Sequence, residues 1–140
     1  MALKTYSGSC HCGAVRFEAD IDLSAGSNRC NCSVCKKARA WFVPVKPDHF
    51  RAIAGTDHLT EYQWTPDGKK EPFLHYRFCK TCGIRTAGYA GLGSTDGGFY
   101  FVSIASLDNV DRDDLMSMPI RYADGKQNRF DQAPADPQLL

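Results

Sequence analysis

Apolar and polar residues alternate along several short segments of the chain, which is typical of half-buried β-strands. In residues 14–21, the apolar side chains of Val15, Phe17, Ala19 and Ile21 fall on one face, and charged side chains fall on the other. Further strands are predicted at residues 5–10, 41–45, 49–54, 59–64, 73–78 and 99–105. Only residues 36–40 and 111–116 favour short helices. The pattern therefore predicts a mainly β protein.

Three of these strands carry more specific predictions. Pro44 has no backbone N–H to donate, so residues 41–45 are expected to form an edge strand or a bulge. The turn sequence Thr65-Pro66-Asp67-Gly68 predicts a hairpin over residues 58–78 that ends at Cys79. The run of apolar residues at 99–105 predicts a buried strand.

Other segments are predicted to lack strands. Residues 22–29 are rich in small polar side chains, and residues 84–98 are rich in glycine, so both are expected to be loops. The polar segment 124–140 contains Pro134 and Pro137 and is expected to be extended over the surface or partly disordered. We therefore predict a single domain over residues 1–140, with residues 124–140 as a polar C-terminal tail.

Composition and charge narrow the possible partners. Of the 140 residues, 43% are hydrophobic and 24% are charged, and the formal net charge is +1. The basic residues are scattered along the sequence, which argues against a nucleic-acid or membrane partner. Residues 1–5 lack the apolar segment of a signal peptide, so a cytoplasmic protein is expected. The sequence leaves the oligomeric state open.

The seven cysteines fall into three groups. The groups are Cys10 with Cys12, then Cys30, Cys32 and Cys35, and finally Cys79 with Cys82. An odd number of cysteines without a secretory signal disfavours a disulfide framework. Clustered, reduced cysteines are instead typical of metal ligands, and thiolates with tetrahedral geometry favour zinc.

Counting ligands suggests two zinc ions. The sequence Cys79-Lys80-Thr81-Cys82-Gly83 has the form of a zinc knuckle, and Cys10 and Cys12 are available to complete its tetrahedron. Cys30, Cys32 and Cys35 then hold a second ion with one position open, the usual arrangement for catalysis. Spacing alone also allows Cys10 and Cys12 to join the triple cluster. A histidine could instead close the second site, the four choices being His11, His49, His58 and His75.

Three segments of this sequence resemble the glutathione-dependent formaldehyde-activating enzyme family, which includes centromere protein V. They are residues 8–17, 30–35 and 78–83, read as GSCHCGAVRF, CNCSVC and FCKTCG. The resemblance implies an Mss4-like fold of folded antiparallel sheets, a β-tent, with zinc-binding loops. It also implies a structural zinc on Cys10, Cys12, Cys79 and Cys82, and a catalytic zinc on Cys30, Cys32 and Cys35. The implied activity is that of a carbon–sulfur lyase acting on the adduct of glutathione and formaldehyde.

These expectations combine into two hypotheses. The first is a zinc-dependent carbon–sulfur lyase whose small-molecule substrate is a thiol adduct, such as S-hydroxymethylglutathione or a related glutathione conjugate. The second is a non-catalytic, zinc-stabilised binding module. A fourth protein ligand at the second zinc favours the binding module, whereas an open position favours the enzyme.

Overall fold

The computed structural model describes residues 3–91 and 97–140, which form ten β-strands and two α-helices. The helices are α1 (Ser33–Ala38) and α2 (Arg112–Ser117), and several 3-10 turns join the elements. The strands are β1 (Lys4–Ser9), β2 (Arg16–Ile21), β3 (Ser27–Cys30), β4 (Phe42–Val45), β5 (Phe50–Ala54), β6 (Leu59–Trp64), β7 (Leu74–Cys79), β8 (Ala87–Ala90), β9 (Phe99–Ser103) and β10 (Ile120–Ala123). The mainly β prediction is confirmed.

Two sheets build the fold. The small sheet has the order β1-β2-β5, and the large sheet has the order β10-β3-β4-β9-β8-β7-β6. Neighbouring strands are antiparallel except β10 and β3, which pair in parallel. The predicted hairpin is present as β6 and β7, with Trp64 opposite Leu74 and Leu59 opposite Cys79.

The main hydrophobic core joins side chains from both sheets. The alternating residues Phe17, Ala19 and Ile21 of β2 are buried there, together with Val43 and Val102 of the large sheet. The period of two in β2 therefore points its apolar face at the other sheet, as the sequence predicts. None of the helices in the described residues is long and apolar enough to span a membrane.

Two segments that were predicted to be loops contain strands. Residues 22–29 include most of β3, and residues 84–98 include β8. Glycine suits β8 because the ring of Phe101, on the neighbouring strand, lies directly over Gly88 where a side chain would stand. The rest of that predicted loop, residues 92–96, lies outside the described residues.

Two further predictions need correction. β4 lies between β3 and β9 and is not an edge strand. Pro44 is tolerated because β3 pairs with β4 at Phe42, before the proline, and Pro44 itself lies opposite Phe101 of β9. The strand at 99–105 is shorter than predicted, and within β9 Val102 is buried while the flanking residues are only half-buried.

Segment 124–140 folds back onto the domain. It contains 3-10 turns at Gly125–Gln127 and Pro137–Leu139, where the sequence predicts an extended or partly disordered chain. Asp124 is buried, and its carboxylate accepts hydrogen bonds from Asn31 Nδ2 at 2.9 Å and Arg129 Nη2 at 2.7 Å. These bonds hold the start of the tail beside the Cys30–Cys35 segment.

Candidate metal centres

Four cysteine sulfurs meet where the small sheet approaches the β6–β7 hairpin. The Sγ atoms of Cys10, Cys12, Cys79 and Cys82 all lie within 4.8 Å of one another. The Cys10–Cys12 and Cys12–Cys79 Sγ distances are both 3.6 Å. Sulfurs about 2.3 Å from a tetrahedral zinc are separated by about 3.8 Å, whereas disulfide sulfurs are about 2.05 Å apart. The four-cysteine cluster therefore has the spacing of a zinc site.

Local backbone geometry prepares this four-cysteine cluster for thiolates. The N–H of Val15 donates to Cys10 Sγ at 3.3 Å, and the N–H of Thr81 donates to Cys79 Sγ at 3.4 Å. The backbone N–H groups of Cys12 and Ile84 lower the pKa of the Cys82 thiol to about 6. Gly83 has a φ of +75°, which completes the tight turn after the knuckle.

The four-cysteine cluster also connects the two sheets. Cys10 follows β1 in the small sheet, whereas Cys79 ends β7 in the large sheet. Cys10 and Cys79 are buried together with Val15 in a second, small hydrophobic cluster. A metal ion held here would tie the sheets together, in addition to the main core.

The remaining three cysteines form a separate cluster. Cys30 ends β3, Cys32 precedes α1, and Cys35 lies within α1, and their sulfurs are within 4.8 Å of one another. The N–H of Cys32 donates to Cys30 Sγ at 3.4 Å. The structure thus separates the seven cysteines into four and three, and does not bring Cys10 and Cys12 to the triple cluster.

Within the described residues, no histidine or carboxylate joins the three sulfurs of the triple cluster. His75 instead contacts Glu61 Oε2 at 3.1 Å, and His58 lies 3.6 Å from Asp57. His11, between two ligands of the other cluster, is exposed. The geometry therefore does not support the alternative in which a histidine closes the second site, and a tetrahedral metal on these three sulfurs would have one position left for an external ligand.

The three thiols cannot all ionise easily without a positive charge nearby. Interactions with the Cys32 and Cys35 side chains, together with N–H donation from Cys32 and Gly125, lower the pKa of the Cys30 thiol. Hydrogen bonding with Cys30 and Cys32, together with burial, raises the pKa of the Cys35 thiol, so the three sulfurs do not all ionise readily. A divalent cation favours the ionised sulfurs, so the donor set fits a thiophilic metal such as zinc.

Tyr76 contacts the triple cluster directly and was not predicted as a site residue. Its hydroxyl lies 3.5 Å from Cys35 Sγ, and its side chain is buried. Burial and the charge of Cys35 raise the pKa of Tyr76, so the phenol stays protonated and can donate to a thiolate. No local signal in the sequence marks this role, because Tyr76 shares a strand face with the apolar residues Leu74 and Phe78 and so looks like an ordinary core residue.

The C-terminal tail covers another side of the triple cluster. Asn31 donates to Asp124 and accepts from the N–H of Lys126, both at 2.9 Å. This pairing brings Gly125 so close that a Cβ there would lie 2.5 Å from Cys30 Sγ and 3.1 Å from Cys32 Cβ. Only a glycine allows the tail to approach the sulfurs this closely.

Gly125→Ala is therefore expected to displace the tail and weaken metal binding at the triple cluster while the domain stays folded. Loss of a supporting contact around a metal site typically lowers affinity by about 10–100-fold. Competition with a chromophoric zinc chelator measures the change. Lys126→Ala is the matched control, because it keeps the backbone bond to Asn31. Equal zinc affinity in the Gly125→Ala and Lys126→Ala variants would show that the tail does not support metal binding at the triple cluster.

Both cysteine clusters lie within a segment of the chain that matches a known family. A family model for glutathione-dependent formaldehyde-activating enzymes matches residues 5–120. The chain belongs to this family. The match includes all seven cysteines of both clusters and ends before the tail that contacts Cys30. The resemblance inferred from the three cysteine motifs is therefore confirmed.

Two relatives illustrate the relationship. A Halomonas elongata protein, whose provisional name is that of the same family, is 35% identical over 79 residues, which are 54% of this chain and 50% of that protein. The chain thus spans about half the length of this relative. The crystal structure of a Rhodobacter sphaeroides protein is 31% identical with a TM-score of 0.63, covering 82% of this chain and 99% of that one. The second comparison supports the folded β-sheet architecture implied by the resemblance.

Proposed function

We propose that this protein is a zinc-dependent carbon–sulfur lyase acting on S-hydroxymethylglutathione or a related glutathione conjugate. The observation that carries the proposal is the cluster of Cys30, Cys32 and Cys35, three converging sulfurs without a fourth protein ligand among the described residues. Membership of the glutathione-dependent formaldehyde-activating enzyme family supports the choice of substrate.

The proposed reaction needs no oxidant and no second substrate. The carbon–sulfur bond of the adduct breaks, its electron pair stays on sulfur, and the hydroxyl of the hydroxymethyl group becomes the carbonyl of formaldehyde. The hydroxyl proton is transferred to the sulfur, so the products are glutathione and formaldehyde. The reverse reaction forms the adduct by the same steps.

The residues around the triple cluster have separable roles in this proposal. A zinc ion held by Cys30, Cys32 and Cys35 would supply an open position that suits a soft thiolate sulfur better than water. Tyr76 donates its O–H to Cys35 Sγ and holds that ligand in place. The backbone of Gly125 approaches Cys30 Sγ closely and helps to lower the pKa of that thiol, which favours the thiolate that binds metal.

The four-cysteine cluster is assigned a structural role. We infer that zinc on Cys10, Cys12, Cys79 and Cys82 fixes the small sheet to the β6–β7 hairpin and takes no part in the reaction. All seven cysteines are free thiols, and a reducing compartment such as the cytoplasm would keep them so.

Turnover of S-hydroxymethylglutathione by the zinc-loaded protein tests the proposal. We expect two zinc ions per chain by elemental analysis and release of formaldehyde well above the uncatalysed rate. The protein stripped of the more weakly bound zinc serves as the control and should be inactive. Two bound zinc ions with no turnover at any pH, and no change at the second metal when thiol is added, would instead indicate the non-catalytic binding module.

A further inference from the structure

A cleft of about 240 Å³ is lined by four arginines: Arg29, Arg39, Arg77 and Arg85. Arg29 lies in β3, Arg39 follows α1, Arg77 lies in β7, and Arg85 lies between β7 and β8, so the fold brings distant positions to one cleft. Phe42 and Phe101 also line the cleft and supply apolar surface. No described residue that lines the cleft is acidic. Such a cleft combines fixed positive charge with apolar surface, as small-molecule sites do.

Two of the arginines are held in place by aromatic rings. The Arg29 guanidinium lies 5.0 Å from the Trp41 ring centre, and Trp41 is itself fixed by its hydrogen bond to Ser27 Oγ at 2.8 Å. The Arg85 guanidinium lies 5.1 Å from the ring centre of Tyr76 and donates to the Ala38 carbonyl at 2.8 Å. Preorganised guanidinium groups lose little freedom when they bind a carboxylate.

The positive charge of the cleft is only partly neutralised. Arg77 pairs with Glu61 through a 2.8 Å Nε–Oε1 contact. Within the described residues, Arg29, Arg39 and Arg85 form no ion pair with a carboxylate. Three guanidinium groups close together without a counter-charge repel one another, so an anionic ligand would relieve an unfavourable arrangement.

The arginine-lined cleft adjoins the triple cysteine cluster. Arg85 and Phe101 both contact Tyr76, the ring centres of Tyr76 and Phe101 being 4.9 Å apart. The Tyr76 hydroxyl in turn contacts Cys35 Sγ. Tyr76 therefore connects two residues that line the cleft to the triple cluster, so the cleft and the sulfurs are neighbouring sites.

We propose that the arginine-lined cleft binds the carboxylates of the thiol substrate, with Arg29, Arg39 and Arg85 as the recognising groups. The substrate class is then an anionic, carboxylate-bearing thiol adduct, whose apolar part lies on Phe42 and Phe101. The inference rests on the proposed function in placing the sulfur at Cys30, Cys32 and Cys35. Guanidinium groups suit this role because they bind carboxylates through paired hydrogen bonds.

Equilibrium binding of S-methylglutathione and its diethyl ester to the zinc-loaded protein tests the assignment. The ester lacks both carboxylate charges, and neither compound carries a hydroxymethyl group that can be cleaved. Calorimetry at low salt is expected to show the free acid bound at least about tenfold more tightly than the ester. This preference should shrink as salt is raised to about 0.3 M.

The variants Arg39→Gln and Arg29→Gln identify which guanidinium groups cause the preference for the free acid. Arg39 is exposed, so its replacement should not disturb folding. Arg112→Gln is the matched control, because Arg112 lies on α2 outside the cleft. Loss of the preference in either cleft variant, with Arg112→Gln unchanged, supports the assignment. Equal binding of acid and ester by the unmodified protein, or an intact preference in both cleft variants, overturns it.

The same measurements separate this inference from the lyase proposal. Preference for the free acid together with absence of turnover would retain the carboxylate site and reject the lyase. Turnover of S-hydroxymethylglutathione without any preference for the free acid would retain the lyase and reject the carboxylate site. The binding assay does not depend on turnover, because neither ligand is cleaved.

Discussion

Cys79→Ser is expected to abolish folding, leaving little or no soluble, cooperatively melting protein. Cys79 is 0% exposed and belongs to the four-cysteine cluster that joins the two sheets. Structural zinc sites contribute roughly 10–16 kcal/mol in zinc-finger peptides, as much as the whole stability of about 5–15 kcal/mol of a typical domain. A serine hydroxyl is a poor zinc ligand, so most of this contribution would be lost.

Soluble yield, the thermal melting curve and zinc content measure the effect of Cys79→Ser. Removing zinc from the unmodified protein with a strong chelator should produce the same unfolded state, which links the loss to the metal. Cys35→Ser, which is also buried but lies in the other cluster, controls for the loss of a buried thiol. If the Cys79→Ser variant melts like the unmodified protein, the four-cysteine cluster does not have the structural role assigned to it.

Local patterns predict the features of this fold that arise from local interactions. The alternation from Val15 to Ile21 places the apolar face of β2, and the turn at residues 65–68 places the β6–β7 hairpin. The sequence of the zinc knuckle predicts two converging sulfurs, because a tight turn with glycine at positive φ brings them together. These features depend on residues only a few positions apart.

Other features depend on contacts between distant residues, and no local pattern reports them. β3 and β10 each have four residues and stabilise each other by parallel pairing across about 90 positions, from Ser27 to Ile120. The tail likewise meets the triple cluster through Asn31 and Asp124, which are 93 positions apart. The segments of β3 and of the tail look like polar loops in the sequence, because the residues that stabilise them lie far along the chain.

The arginine-lined cleft shows how a near-neutral chain can hide a basic site. The formal net charge is +1, and Arg29, Arg39, Arg77 and Arg85 are spread over nearly 60 positions. The fold places them together, because β3, the end of α1, β7 and the segment between β7 and β8 all line the cleft. Net charge and the lengths of basic runs therefore cannot reveal a small anion site.

Cys32→Ser is expected to leave the fold intact and to reduce turnover of the glutathione adduct to the uncatalysed background. Cys32 is only half-buried, precedes α1 and makes no contribution to the core between the sheets. Two thiols alone, Cys30 and Cys35, would hold the second zinc weakly, so one of the two metal ions should be lost. The melting temperature should change by no more than about 5 °C, since surface changes alter stability little.

The contrast between Cys32→Ser and Cys79→Ser decides whether the two clusters have different roles. Zinc content should fall from two to one in Cys32→Ser, and adding excess zinc should restore part of the lost turnover if weakened binding is the cause. Ser33→Ala, on the adjacent exposed position, controls for local disturbance of α1.

If both cysteine variants unfold, the triple cluster is structural as well. If Cys32→Ser folds, loses one zinc and stays active, the reaction occurs elsewhere. Loss of zinc and turnover in a folded protein therefore distinguishes an enzyme site from a second structural clamp.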